Sequence, residues 1–537
     1  MTESRPGDAD AQQPAGPASG SGRGAGARAA DQDAARTADQ DAGQDAAPDA
    51  APDAGQNAAR GEARAAGGRV VGPDPIARLG RRGAGRGLNG GGDDVQPGLG
   101  GRRERPAQRR PQRPGARQET LRESNLLLIT EEIFSAAEPL SRADLSTRTG
   151  MTRSTVSRLV DDLLAAGIVR EGSPIVGGSR GRPAVPLHPA RSTLAGLGVE
   201  VNVDFMAARV LDLTGAILAE EVVEGDFRDS EPTSVLPQLG ALASRVARRA
   251  GDRGARVVGT VLAMPGLVSA GEDHLLLAPN LGWRDVDVPE ALGEVLPRPV
   301  DDAGLPPVLN REEPVYGEFG DFVVTANEAK LAALAVAQDL TRQDEVEQSF
   351  LYVSAQMGIG AAVVIDGVVD AGPRGWAGEV GHIAVQPGGP LCGCGATGCL
   401  EAFAGKRALL KEAGLDLRST AEELVAITEW DDESGARARA AIDRAGWALG
   451  VALAGAVNML DVDDIVLGGE FGPLADLLRP RIEEELRQRV LAAPWSSFRV
   501  RETGTGLAPA TTGGALRALR AVVDSPMQWV PAEQSPA

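Results

Sequence analysis

The chain has 537 residues, a formal net charge of -20 and three cysteines. Its length exceeds one ordinary domain and suggests about three, while three clustered cysteines argue against the disulfide framework of a small secreted protein. The acidity argues against a uniformly basic nucleic-acid binder but permits a local basic surface. The sequence shows neither a run of about 18 apolar residues nor a signal-peptide pattern, so we expect a cytoplasmic protein without a membrane span.

Residues 1–118 form an arm rich in Ala, Gly, Asp and Arg that contains no Phe, Trp or Tyr. Such a segment cannot bury enough apolar surface to offset the entropy of ordering, so the composition predicts disorder. The stretch from Arg102 to Arg122 is rich in arginine. They are either part of a solvated tail or a basic arm that adds phosphate contacts. A third interpretation is that translation starts downstream of part of the arm.

Residues 119–190 have the pattern of a winged helix-turn-helix. An apolar rhythm of 3.6 residues from Leu121 predicts a first helix, Pro139 closes it, and Thr152 caps a third helix that follows a glycine turn. The third helix turns short polar and basic side chains outward, as a major-groove reader does. Two short strands around a glycine- and arginine-rich tip follow as a wing. The predicted DNA-binding residues are Arg142, Arg153, Ser154, Thr155, Ser157, Arg158, Arg180 and Arg182.

After Ser192 the pattern becomes α/β. Three consecutive strands, a helix and another strand up to Ala263 are typical of an actin-like, ribonuclease-H-like lobe. We therefore expect lobe 1 over 191–325 and lobe 2 over 326–525, whose C-terminal part is a candidate to return to lobe 1, followed by a tail at 526–537. The acid-rich stretch 301–320 is interpreted as a surface loop. A cleft between two lobes is a frequent place for a small-molecule site.

One histidine and all three cysteines lie close together, at His382, Cys392, Cys394 and Cys399. One imidazole and three thiolates are the ligand set of a closed, structural Zn²⁺ site, which leaves no position for a metal-bound water. The alternative is a set of buried free thiols beside a core histidine. A zinc ion here would fix the directions of Glu379 and Glu401. Rigid carboxylates, and the second nitrogen of His382, are suited to the hydroxyls of a sugar.

Several motifs together resemble the ROK family of repressors and sugar kinases. They are Glu379-Val380-Gly381-His382, the cysteine loop up to Glu401, Pro279-Asn280-Leu281-Gly282-Trp283, Ala263-Met264-Pro265-Gly266 and Asn327-Glu328-Ala329-Lys330. The winged helix is similar to that of the xylose-repressor branch. The resemblance implies an actin-like fold, a structural zinc and a sugar held by Asn327, Glu328, Glu379, His382 and Glu401.

The chain departs from the ROK kinase pattern where a nucleotide would bind. Glu200-Val201-Asn202-Val203-Asp204 replaces the first phosphate loop and places acidic side chains where phosphates would sit. Gln356 to Gly360 has lost a glycine and a hydroxyl of the second loop. Glu328 replaces the aspartate that serves the kinases as general base, and Lys330 replaces an asparagine.

The sequence thus predicts a sugar-responsive transcriptional regulator, a repressor without enzymatic activity that binds a double-stranded DNA operator. Its effector is a small sugar or sugar phosphate. Half-site geometry favours a homodimer or homotetramer. Two alternatives stay open: an ATP-dependent ROK sugar kinase fused to a DNA-binding domain, and a ROK regulator controlled by a protein partner.

Overall fold

A computed structural model describes residues 114–174, 184–288, 317–342, 348–504, 506 and 508–531, with side chains from Thr120 onward. Nearly all of the predicted disordered arm therefore lies outside the described residues, as do Arg180, Arg182 and most of the 301–320 stretch. Phe319, at the end of that stretch, is buried in lobe 1, so its last residues are not a surface loop.

The N-terminal domain is a winged helix. Its elements are α1 (Pro114–Ser135), β1 (Leu140–Ser141), α2 (Arg142–Thr149), α3 (Arg153–Ala165), β2 (Val169–Glu171) and β3 (Pro186–Pro189). The strands form an antiparallel sheet in the order β1-β3-β2. α1 begins seven residues before the predicted Leu121, at Pro114, because proline is well suited to the first position of a helix. Ser141 and Asp144 form a capping box at α2, and Thr152 caps α3 through the Thr155 amide.

Lobe 1 contains a five-stranded sheet in the order β11-β7-β4-β5-β6. A smaller sheet, β10-β9-β8, stands beside it. Helix α4 covers one face of the larger sheet. The bounds are β4 (Leu194–Val201), β5 (Phe205–Asp212), β6 (Ile217–Glu224), α4 (Pro232–Gly251), β7 (Arg256–Met264), β8 (Leu267–Val268), β9 (His274–Ala278), β10 (Trp283–Asp287) and β11 (Val323–Asn327).

Lobe 2 repeats this strand order with β14-β13-β12-β15-β16. The helix and strand bounds are α5 (Glu328–Arg342), β12 (Phe350–Ala355), β13 (Ile359–Ile365), β14 (Val368–Asp370), α6 (Glu401–Ala404), α7 (Lys406–Ala413), α8 (Ala421–Thr428), α9 (Glu433–Leu460), β15 (Asp464–Gly469), α10 (Phe471–Arg489) and β16 (Arg499–Glu502). By length and composition α9 could span a membrane, but 67% of its most apolar window is buried. It is the central helix of the lobe 2 core. The duplicated two-lobed, actin-like fold expected from the sequence is confirmed.

The last helix, α11 (Pro509–Asp524), joins the three parts of the molecule. It packs on β4 and β7 of lobe 1 and on α5. Gly198 is required on β4 because a Cβ there would overlap the Thr511 carbonyl of α11. On its other side, Leu516, Leu519 and Val523 share a buried cluster with α1 and α3 of the winged helix.

The segment after α11 differs from the predicted tail. Pro526–Trp529 forms a 3-10 helix that contacts α1, and Val530 is buried. The Arg256 guanidinium lies 5.5 Å from the centre of the Trp529 ring. The segment is ordered because its apolar side chains pack against α1 and α11. These side chains are Met527, Trp529 and Val530.

Candidate functional site

The cleft lies where the carboxyl ends of β4 and β11 meet the loop between β12 and β13. All five predicted sugar-binding residues, Asn327, Glu328, Glu379, His382 and Glu401, line this one cleft. Its volume is about 60 Å³, which corresponds to room for about four or five waters. The cleft is therefore narrow in the present arrangement of the two lobes.

Asn327 mainly holds other groups of the site in place through hydrogen bonds. Its side-chain nitrogen donates to the Gly266 carbonyl at 3.0 Å and to the Glu328 carboxylate at 2.9 Å. Its oxygen accepts from the Lys330 amide at 3.1 Å, so Asn327 also caps the first turn of α5. These bonds hold the turn at Gly266 of lobe 1 against the beginning of α5 and orient Glu328.

Carboxyl groups are concentrated in and behind the cleft. Burial raises the pKa of Glu200 to about 7. Burial, followed by the neighbouring Glu200 and Glu379 carboxylates, raises the pKa of Glu328 to about 8. Burial also raises the pKa of Glu379, an effect that Lys330 and His382 oppose. Near neutral pH Glu328 is therefore largely protonated and Glu200 partly so, and a protonated carboxyl group can donate a hydrogen bond as well as accept one.

The four predicted metal ligands converge at one point. The ligand atoms of His382, Cys392, Cys394 and Cys399 lie within 4.8 Å of one another. The Cys394 and Cys399 sulfurs are 3.8 Å apart, and the Cys392 sulfur is 3.8 Å from Nδ1 of His382. A tetrahedron with zinc–sulfur bonds of about 2.3 Å has edges of about 3.8 Å. The donor set and its spacing therefore fit Zn²⁺, and Nε2 of His382 is left for the cleft.

Glu401 connects the cysteine loop to the cleft. One carboxylate oxygen lies 3.6 Å from the Cys392 sulfur, and the other accepts from the Ile359 amide at 3.1 Å. Gly358 lies next to it, and a Cβ there would displace the Glu401 carboxylate and the Asn280 amide. The cysteine loop therefore controls the position of the chain between β12 and β13.

The side of the cleft where a nucleotide would bind is filled by protein groups. The Glu200 side chain is buried there on β4, and Asn202 of lobe 1 donates to Gln356 of lobe 2. The Lys406 ammonium lies 2.7 Å from Glu470 of its own lobe and 3.7 Å from Asp204 of lobe 1. These contacts join the lobes and place a carboxylate where the kinase pattern has its first phosphate loop.

Sequence reasoning did not assign Asn202, Asn280, Gln356 or Lys406 to the site. The first three belong to motifs that were recognised, so their place at the cleft could have been inferred. Lys406 stands alone at the start of α7, and only the packing of that helix brings it to the lobe boundary. It carries no sequence pattern that would have identified it.

On the recognition helix α3, Arg153, Ser154 and Arg158 are exposed, while Thr155 and Ser157 are half-buried. Arg142, whose contact with DNA stays a prediction, forms ion pairs within the domain. Its guanidinium lies 2.8 Å from Asp161 and 3.0 Å from Glu171. These ion pairs connect α2, α3 and β2, so Arg142 braces the domain.

Comparison with known proteins agrees with both halves of the molecule. The ROK family model matches residues 312–520, and the MarR family model matches residues 133–175. The xylose repressor of Caldicellulosiruptor bescii is 26% identical over 395 residues, covering 71% of this chain and 91% of the relative. The glucokinase of Halalkalibacterium halodurans is 28% identical over 265 residues, covering 46% of this chain and 72% of the relative.

Among solved structures, a ROK family transcriptional regulator described as a homolog of the Escherichia coli Mlc protein has the same fold. It superimposes with a TM-score of 0.59 at 24% identity, covering 76% of this chain and 99% of that one. Fold and matches together define an actin-like, two-lobed domain joined to a winged helix. The chain contains a ROK domain, with a winged helix of the MarR type in front of it.

Proposed function

We propose that this protein is a sugar-responsive transcriptional repressor without kinase activity. The observation that carries the proposal is the shared packing of α11, which belongs both to the lobe 1 core and to the core of the winged helix. A change in lobe 1 can therefore change the position of α3. The proposal is supported by the xylose repressor, which is similar along 91% of its length.

The DNA-binding part of the proposal rests on α3. Exposed Arg153, Ser154 and Arg158 enter the major groove of a double-stranded operator, with Thr155 and Ser157 beside them. A homodimer or homotetramer would place two such helices on half-sites about one helical turn apart, or a multiple of it. Arg180 and Arg182 of the wing are proposed to contact phosphates or the minor groove.

The sensing part rests on the cleft. Glu328, Glu379, Glu401 and Nε2 of His382 would bind the hydroxyls of a small sugar or sugar phosphate. A structural Zn²⁺ held by His382, Cys392, Cys394 and Cys399 would keep the cysteine loop rigid. A sugar that binds this narrow cleft more tightly in another arrangement of the lobes would shift the protein toward that arrangement, and only such a difference in affinity can drive release from DNA.

Calorimetric titration of the full chain with a panel of monosaccharides and their phosphates tests the sensing step. We expect one sugar class to bind and Glu379→Gln to weaken its binding at least tenfold, about the loss expected for a charge-assisted hydrogen bond. Glu224→Gln on β6 is the matched control, because Glu224 is exposed and does not line the cleft. Absence of binding by every sugar would favour control by a protein partner.

The alternative of a sugar kinase is favoured by one observation. Glu328 lies at the cleft with its pKa raised to about 8, and a carboxyl group with such a pKa can serve as a general base. Against it stand Glu200 and the contact of Lys406 with Asp204 on the nucleotide side. ATP-dependent phosphorylation of any bound sugar by the purified protein would establish the kinase and refute the non-catalytic reading.

A further inference from the structure

A second cavity of about 280 Å³ lies behind the sugar cleft and shares Asn327 with it. Residues of β8, β11, α5, β14 and α11 line it, so it lies between the two lobes. Leu331, Leu334 and Val369 form an apolar wall. The cavity is thus large enough for a compact metabolite and has contacts for its carbon skeleton.

The polar lining of this cavity is mainly cationic. Lys330, Arg517 and Arg520 line it, against a single carboxylate, Glu272. Arg517 pairs with Glu272, and Arg520 pairs with Asp524 on the next turn of α11 at 2.8 Å. The lining of the cavity therefore carries more positive than negative charge, which favours an anionic ligand.

Lys330 is the residue that replaces the usual asparagine of the ROK motif. Its side chain is partly buried, and its ammonium forms no ion pair with any of the described residues. Burial accordingly lowers its pKa, although Glu379 and Glu328 oppose this effect from the cleft side. A partly buried cation without an ion-pair partner is destabilising unless a ligand compensates it.

A second group beside Lys330 also lacks a partner. Thr325 on β11 is fully buried and lines the cavity, and its hydroxyl makes no hydrogen bond to the described residues. Buried hydroxyls are nearly always hydrogen-bonded. Lys330 and Thr325 thus independently indicate a missing acceptor at the same wall of the cavity.

We propose that this cavity binds a small anionic metabolite, whose phosphate or carboxylate oxygens accept from Lys330, Thr325 and Arg517. The site is distinct from the sugar cleft but coupled to it through Asn327. It also contacts both lobes, because Trp376 of lobe 2 donates to the Val268 carbonyl at 2.8 Å at its edge. Since α11 supplies Arg517 and also packs on the winged helix, an anion here is a second input to DNA binding.

The test titrates the purified full chain with glycerol 3-phosphate, malate and inorganic phosphate, following heat and thermal unfolding. Glycerol 3-phosphate represents phosphomonoesters, malate represents dicarboxylates, and inorganic phosphate represents the anion without a carbon skeleton. We expect saturable binding of at least one probe and its weakening by tenfold or more in Lys330→Met. Lys411→Met on α7 is the matched control and should bind like the unmodified chain.

Lys330→Met also has a readout that does not require the ligand. Because it removes an uncompensated cation, the variant should unfold at the same or a higher temperature than the unmodified chain when no anion is added. A folded variant that binds the probe as tightly as the unmodified chain would overturn the proposal. Failure of all three probes to bind, or an equal effect of sodium chloride at matched ionic strength, would also overturn it.

Discussion

Replacing Glu200 by Gln should make the stability of lobe 1 less dependent on pH. The side chain is 1% exposed on β4, and its pKa is raised from 4.5 to about 7 because burial disfavours the charged form. A carboxyl group with a raised pKa stabilises the fold fully below its unfolded pKa, and this contribution is lost as pH rises through 7. The protein should therefore lose stability between pH 5 and pH 8.

The size of the effect follows from the shift. One pKa unit corresponds to about 1.4 kcal/mol, so the shift of Glu200 amounts to about 3 kcal/mol at pH 8. Glutamine has nearly the same shape as the protonated acid, so at pH 5 the variant should be within about 1 kcal/mol of the unmodified chain. At pH 8 it should be more stable by about 3 kcal/mol. One side-chain atom of residue 200 lacks a hydrogen-bond partner in both chains, so most of that cost cancels in the comparison.

Hydrogen exchange of peptides covering β4 and β5, measured against urea at both pH values, reports this stability locally. Glu224→Gln on the exposed edge strand β6 is the control and should follow the unmodified chain. Parallel pH profiles for Glu200→Gln and the unmodified chain would refute the reasoning, since they would mean that Glu200 is ionised in the folded state at no cost.

Three further changes probe the rest of the molecule. A strong chelator should remove one zinc per chain and weaken sugar binding before the protein unfolds, and a chelated protein that still binds sugar normally would contradict the role of the cysteine loop. Arg153→Ala should weaken binding to operator DNA about tenfold and reduce its salt dependence, whereas Arg245→Ala on α4 should not, as measured by gel shift. Lys406→Met should destabilise lobe 2 by about 1–3 kcal/mol, because Glu470 loses its ammonium partner. The same variant should speed sugar association, as followed by stopped-flow. An unchanged rate would mean that the contact with Asp204 does not hold the lobes together.

The sequence was most informative where neighbours along the chain make the structure. The cysteine loop could be recognised because its ligands are closely spaced between His382 and Cys399. The winged helix could be recognised because Thr152 caps its own helix and the apolar spacing of α3 repeats every turn. In such segments the contacts seen in the fold are made between residues that are close in sequence, so the local pattern predicts them.

The sequence was least informative where partners are distant along the chain. Arg142 on α2 could not be assigned to its ion pairs with Asp161 and Glu171, because both partners are fixed only when α3 and β2 pack beside α2. The contact of Lys406 with Asp204 depends on the relative position of two lobes. The ordering of Pro526–Trp529 depends on α1, far away in sequence. Such contacts form only when the chain has folded, and the sequence next to the residues involved carries no pattern that predicts them.

The position of α11 has a consequence for how the protein is made. The winged helix is translated early, but its apolar core includes Leu516, Leu519 and Val530, which leave the ribosome several hundred residues later. Domains usually fold as units during synthesis, with the N-terminal one first. Here the DNA-reading domain stays incomplete until the sensing domain has been synthesised. A partly made chain would therefore be a poor competitor for the operator, and the cell would be protected from a repressor that cannot respond to its effector.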